Sequence, residues 1–397
     1  MSAPAAEAAR ALRRSTLTLL VLAVTVAVFF NLALFQAVLP VEIARSGGSR
    51  IQVGEATSLF SAGTVVCELL TVFLATRISM AVLLAIGVFV MGAATFGYVV
   101  AGASIPALLA LTAVRGGAFG INVVTTSYLI AAYAAPGERG RALGIYGLAV
   151  SVPATFGISL GLVIQSALGP NLAYVLGAIP AVLASAGFAA VIRRSPPPPV
   201  TPPRFHPAAL PPLLPVAGTI ALITMTYGAL LSFGPGLVAA DGPGAAPLLF
   251  LVFGITRAAV RPVAGVACDR IGAMPVSVAS ALTLAAGCLV LGAWAGTVAL
   301  VLGAALYGAG LGGISNAGYV AMLDRIDESG QALASATWST AFDSGVALGG
   351  AAFAAVAEAR GLGAVAVLLP VVGALAWVAA GADWAQVSLR RRSPAPG

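Results

Sequence analysis

The sequence predicts an all-α membrane protein, with 12 transmembrane helices in two six-helix bundles. Three observations predict it. Of 397 residues, 60% are hydrophobic and only 8% charged, whereas a soluble domain carries about 25% charged residues. The apolar residues lie in long continuous runs, and a membrane-spanning helix needs about 20 of them. A proline-rich stretch splits those runs six and six. Mean hydropathy is +1.03. Such a composition excludes disorder, which goes with few apolar residues. Continuous rather than alternating runs exclude an outer-membrane barrel.

The spans read as 17–40, 56–76, 80–102, 105–133, 142–167, 172–192, 213–239, 246–268, 275–295, 297–322, 332–357 and 363–382. Residues 1–16, with Arg10, Arg13 and Arg14, look like the start of a signal peptide. The apolar run behind them is too long for one, so it is expected to be the first helix. The domain expectation is a bundle over 1–192, a Pro-rich connector over 193–212 and a second bundle over 213–397. The connector is about half proline from Pro196 on, which favours a stiff extended spacer.

All 20 basic residues are Arg, and the net charge is +7. They fall between apolar runs, not on a soluble module, so nucleic acid is not an expected partner. With the N-terminus inside, inner segments hold Arg10, Arg13, Arg14, Arg77, Arg139, Arg141, Arg193, Arg194, Arg204, Arg270, Arg325 and Arg390 to Arg392. Outer segments hold Arg45, Arg50 and Arg360. The positive-inside rule then predicts a plasma-membrane protein with both termini cytoplasmic. Cys67, Cys268 and Cys288 lie in apolar runs and His206 is the only His. No metal site and no cofactor is expected.

The two halves repeat weakly. Glu138-Arg-Gly-Arg-Ala-Leu143 after span 4 matches Glu328-Ser-Gly-Gln-Ala-Leu333 after span 10, and Arg77-Ile78 matches Arg270-Ile271. Gly116, Gly117 and Gly120 fall opposite the Gly-rich run 308–313. Charges inside spans are Glu68, Arg115, Arg257, Arg261 and Asp343; spans 3, 6, 9 and 12 hold none. Polar residues three and four apart form seams, as in Thr57, Ser61, Thr64, Glu68 and Thr71 of span 2. Each seam lies on one helix face and should meet water or another helix, not lipid.

This layout resembles the major facilitator superfamily over nearly the whole chain. Arg261-Pro-Val-Ala-Gly265-Val-Ala-Cys-Asp269-Arg270-Ile-Gly272 resembles the family's G-x-x-x-D-R-x-G loop in its second-half copy. In the first half Thr76 stands at the Asp position and Ser79 at the Gly position. Leu111-Thr-Ala-Val-Arg115-Gly116-Gly-Ala-Phe-Gly120 resembles the motif with a buried Arg in helix 4. Pro153-Ala-Thr-Phe-Gly157, followed by Gly161, is similar to a loose form of the helix 5 motif of antiporters. The resemblance implies a monomeric transporter working by alternating access, with protons, a small molecule and the bilayer as partners. Proton-coupled efflux of a lipophilic or amphipathic molecule is the first expectation. Proton symport or facilitated import is the alternative.

Site expectations follow. A charge at the bilayer centre costs roughly 2.5–3.5 kcal/mol, so each buried one must pair, reach water or carry protons. Asp343 lies roughly 16 Å along span 11, near the midplane. If one conformer exposes it to water and another brings it near Arg257 or Arg115, its proton affinity follows the conformer. Asp343 is the first proton-coupling candidate and Glu68 the second, with Arg115 and Arg257 as modulators; for each, a static structural contact is the competing role. Asp269 and Arg270, with Arg261 and Gly265 of the same motif, are expected to form a gating latch. By resemblance, Asn31, Gln36, Asn122, Tyr227, Asn316 and Tyr319 lie on cavity-lining helices, and Phe119, Trp338 and Phe342 add apolar surface for substrate. Two enzyme-like strings are set aside. Gly157-Ile-Ser159-Leu-Gly161 mimics a nucleophile elbow but lies in an apolar span far from any His. Gly308-Ala-Gly310-Leu-Gly-Gly313 mimics a dinucleotide fingerprint but suits close helix packing better.

Overall fold

A computed structural model of the chain describes residues 3–133, 139–194, 209–293, 296–327 and 330–392. Among them every long element is an α-helix: α1 (Ala3–Gln36), α2 (Val38–Arg45), α3 (Arg50–Leu74), α4 (Met80–Ala101), α5 (Ile105–Tyr133), α6 (Arg139–Leu168), α7 (Pro170–Arg194), α8 (Leu214–Leu237), α9 (Ala245–Ile271), α10 (Ala273–Ala293), α11 (Thr297–Leu323), α12 (Gln331–Arg360) and α13 (Leu362–Arg392). Twelve spans are long and apolar enough to cross a membrane, with α1 and α2 forming one of them. Side chains such as Phe73, Val100, Val298 and Val367 are largely exposed, as lipid-facing residues are. The side chains of Arg10, Arg13, Arg14, Arg139, Arg141, Arg194 and Arg390 to Arg392 lie outside the described residues. So do Glu138, Glu328 and the 195–208 stretch with Arg204 and His206.

Span ends differ most from the sequence reading in three places. The first span runs to Arg45, five residues past its expected end. α3 starts at Arg50, six residues earlier than hydropathy suggests. α13 runs to Arg392, ten residues past the expected end. Backbone helix continues where hydropathy fades, because polar residues there still find partners. The longer α13 also brings Asp383 into the last span. That span therefore is not free of charge, as the sequence reading had it.

Turns between spans are short and chemically explicit. Ser79 caps α4 by accepting from the Val82 N–H at 3.3 Å, and Thr76 Oγ1 donates to the Phe73 carbonyl at the end of α3. Both replace the loop-motif residues with local caps. In the second-half copy, Gly272 has φ +89 and its N–H bonds the Cys268 carbonyl at 2.9 Å. A left-handed residue is what lets α9 stop and α10 begin one residue later, and glycine adopts it without steric cost.

The chain forms two compact units: residues 1–38 with 62–202, and residues 39–61 with 203–397. In the first, α4 packs on α5 and α7, and α1 on α6. A Cβ at Gly157 or Gly161 would overlap Ala33 or the Leu34 carbonyl. The string that mimics a nucleophile elbow is thus a close α1–α6 contact. The second half of α3 joins this unit through Thr64 Oγ1, which donates to the Gly116 carbonyl at 3.1 Å.

In the second unit α11 packs on α9 and α10, α8 on α12 and α13, and α10 on α13. The Gly-rich run makes the α11 contacts possible. A Cβ at Gly308 would meet the Phe253 carbonyl, one at Gly312 the Arg257 backbone, and one at Gly310 the Leu284 backbone. Residues 39–61 belong here too. Ser58 Oγ donates to the Ala347 carbonyl at 2.8 Å, and Ser232 donates to Thr57 at 2.8 Å. At the start of α3 the Arg50 N–H donates to Glu358 Oε2 at 3.0 Å, an acidic partner that a helix N-terminus favours.

Gly312→Ala is expected to lower stability by about 1–3 kcal/mol, because the α9 backbone cannot yield to a methyl group. Gly218→Ala in α8, where a Cβ meets nothing within 4 Å, is expected to gain roughly 0.5–1 kcal/mol. Thermal unfolding of the detergent-solubilised variants measures both.

Candidate functional site

Arg115 is 2% exposed in the interior of the first unit. Its Nε donates to Asn31 Oδ1 at 2.9 Å. Its Nη2 donates to the Asn31 carbonyl at 2.8 Å and the Leu32 carbonyl at 3.3 Å. The Phe35 ring covers the guanidinium at 5.0 Å from its centroid. Asn31 in turn donates to Thr95 Oγ1 at 3.0 Å and the Gly177 carbonyl at 2.9 Å. Phe35, Tyr98 and Tyr174 close the knot, with Tyr98 and Tyr174 centroids 5.2 Å apart, and Tyr98 shares a 3.0 Å hydrogen bond with Thr112. The sequence reading placed Arg115 beside a proton carrier and Asn31 beside substrate. The structure joins the two to each other, tying α1, α4, α5 and α7 together.

The other first-unit candidates are scattered around this knot. Glu68 is 6% exposed on α3. Its backbone faces Gly120 of α5. Asn122 is fully buried against α4: its Nδ2 contacts Met91 Sδ at 3.6 Å and its Oδ1 lies over Gly87. Phe119 meets Phe29 edge to face at 5.5 Å. Gln36 is half-buried at the end of α1.

The second unit gathers its candidates into one strip. Tyr227 of α8 lies 5.5 Å from Phe253 of α9 and 6.2 Å from Phe342 of α12. Phe342 stacks on Trp338 at 5.3 Å, and Trp338 meets Tyr319 of α11 at 6.3 Å. The Arg257 guanidinium stands 5.6 Å from the Tyr227 centroid and 5.8 Å from that of Phe253. Aromatic faces attract a cation but do not neutralise it. Arg261 follows one turn later. Among the described residues neither guanidinium has an ion pair or a hydrogen-bond acceptor. Asp343, next to Phe342, is half-buried, and among the described residues its carboxylate has no cation and no donor. Asn316 donates instead to the Arg261 carbonyl at 2.6 Å, and Gly265 lies beside that amide, where a Cβ would make only an ordinary contact. Asp269 and Arg270 are exposed in the last turn of α9.

Sequence reasoning missed one charge cluster. Arg325 pairs with Asp383 at 2.7 Å, the two side chains being 14% and 7% exposed. Its Nη1 donates to the Pro212 carbonyl at 3.0 Å, and its Nη2 contacts Met274 Sδ at 3.4 Å. Asp383 sits one residue beyond the expected end of span 12. An acid at the end of an apolar run was the available signal.

Twelve apolar spans among the described residues define a polytopic membrane protein. A family model described as Major Facilitator Superfamily matches residues 21–242, more than half of the sequence, and the chain belongs to that superfamily. No curated protein sequence matches it. Three solved structures share the fold. The nucleoside transporter NupG aligns with TM-score 0.72 and 15% identity over 93% of this chain and 98% of that one. A bacterial homolog of the human lysosomal transporter Spinster, inward-facing and unoccupied, gives 0.74 and 15% over 97% and 99%. An auto-inhibited POT family peptide transporter gives 0.76 and 13% over 96% and 98%.

Three variants test these clusters. Asn31→Leu removes one acceptor, Oδ1, from the buried Arg115 and is expected to cost about 1.5–3 kcal/mol, the worth of a hydrogen bond to a charged group. Arg325→Ala leaves Asp383 buried alone and is expected to cost about 3–5 kcal/mol, whereas the paired change Arg325→Met with Asp383→Leu recovers most of it. Chemical or thermal unfolding of the four proteins gives the comparison.

Proposed function

We propose that this chain is a proton-coupled secondary transporter of the plasma membrane. It acts as a monomer with both termini cytoplasmic and exports a small lipophilic or amphipathic molecule by alternating access of the bundles 1–192 and 213–397. The observation that carries the reading is Asp343. A carboxyl group within a membrane-spanning helix, with neither cation nor donor on it among the described residues, is stable there when it holds a proton or reaches water. A site that exchanges a proton as its water access changes links protonation to the conformational switch. Glu68 is the second carrier in this proposal. Asp269, Arg270, Arg261 and Gly265 form the latch, and the α8–α9–α11–α12 aromatic strip receives the substrate. Arg115, held by three acceptors on α1, keeps the first bundle in register.

Symport is the second reading, and the guanidinium pair on α9 favours it. If the substrate is an anion held there, protonating Asp343 removes a repulsive charge from its neighbourhood. Proton and substrate then bind together and travel the same way. For a cationic or competing substrate they exchange.

Ligands are first found by thermal shift of the purified protein, since binding raises apparent stability. In proteoliposomes, Asp343→Asn is expected to abolish ligand-induced proton movement and pH-driven flux, while binding and ligand exchange across the membrane persist. Proton movement unchanged in that variant would remove Asp343 from the mechanism. Reversing an imposed pH gradient then separates exchange from symport by the direction of net flux.

A further inference from the structure

We infer that the second unit's strip from Arg257 to Trp338 binds an organic monoanion with a flat apolar body, such as an aromatic carboxylate or sulfonate. The inference rests on the transporter reading above, in its symport form, and names the substrate class.

Charge decides the sign of the ligand. Arg257 and Arg261 are one helical turn apart on α9, and like charges at that spacing repel. Neither has an acceptor among the described residues, whereas Arg115 in the first unit has three. Two guanidiniums in one membrane-spanning helix therefore lack what the fold supplies elsewhere. Asp343 does not pair with either. With its carboxylate ionised, the three groups sum to one net positive charge; with it protonated, to two. A cation is disfavoured in both states, and an anion is favoured in both.

The rings decide the shape. Beside Arg257 lies Tyr227, then Phe342 at 6.2 Å, then Trp338 stacked on Phe342 at 5.3 Å. Phe342 and Trp338 are only partly buried, so their faces have room for a flat partner. The expected occupant thus carries its anionic group at Arg257 and lays a ring system along Phe342. A bidentate guanidinium–carboxylate contact fixes its orientation.

The test uses the full chain in lipid nanodiscs with no gradient present, by equilibrium dialysis of radiolabelled 2-naphthoic acid. 2-Naphthamide and 2-naphthylmethylamine, of equal ring size, compete as the neutral and cationic counterparts. The acid is expected to bind saturably and at least about tenfold tighter than either, a difference of about 1.4 kcal/mol. Arg257→Gln is expected to erase that preference, so that acid and amide compete equally; Arg261→Gln should weaken it. Trp338→Phe should weaken all three alike. Absence of saturable acid binding, equal or tighter binding of the amide or amine, or an acid preference that survives Arg257→Gln overturns the proposal. The wild-type ranking decides the matter even if a variant fails to fold. The proton reading fails separately: an uncoupling defect missing from Asp343→Asn leaves the acid preference untouched.

Discussion

The fold depends on how a low-dielectric interior treats positive charge. A guanidinium never sheds its proton at physiological pH, so each one placed inside a span must be given oxygen atoms, aromatic faces, or water. In the first unit Arg115 is given oxygen atoms. Arg115 takes the side chain and carbonyl of Asn31 and the carbonyl of Leu32, and Asn31 is itself held by α4 and α7. Four helices share one charge, and none can slide without unmaking a charge-assisted contact. Helix association in lipid has no hydrophobic drive of its own, so this knot supplies specificity that packing alone would lack.

The second unit treats its charges differently. Arg257 and Arg261 sit on a helix brought close to α11 by Gly308 and Gly312, yet the neighbours offer rings and not oxygens. Asn316 reaches the same helix, but its amide is spent on the Arg261 carbonyl. The knot around Arg115 acts as a scaffold, whereas the α9 guanidiniums are left with work for a third party.

Much of this was readable from the chain. Composition and run length gave the twelve spans, and glycine spacing marked α11 as a close-packing helix before its neighbours were known. Arg115 stood out as buried, but its acceptor lies 84 positions away, and nothing local points to Asn31. Helical periodicity gives Asn122 a face, yet cannot say that Gly87 and Met91 of α4 lie across from it. Hydropathy ended the last span at the first acid, because a window of apolarity cannot know that Arg325 waits to meet Asp383. Pairings between distant segments are properties of the packed chain, and only the residue types involved are visible beforehand.

The Arg325 contact with the Pro212 carbonyl has a mechanical meaning. Pro212 lies in the single 3-10 turn, Pro211–Leu213, that leads into α8. The side chain gripping it is anchored in turn by Asp383 of α13 and touches Met274 of α10. A pull on the start of α8 is therefore shared with α10 and α13 and does not peel that helix open from its first turn.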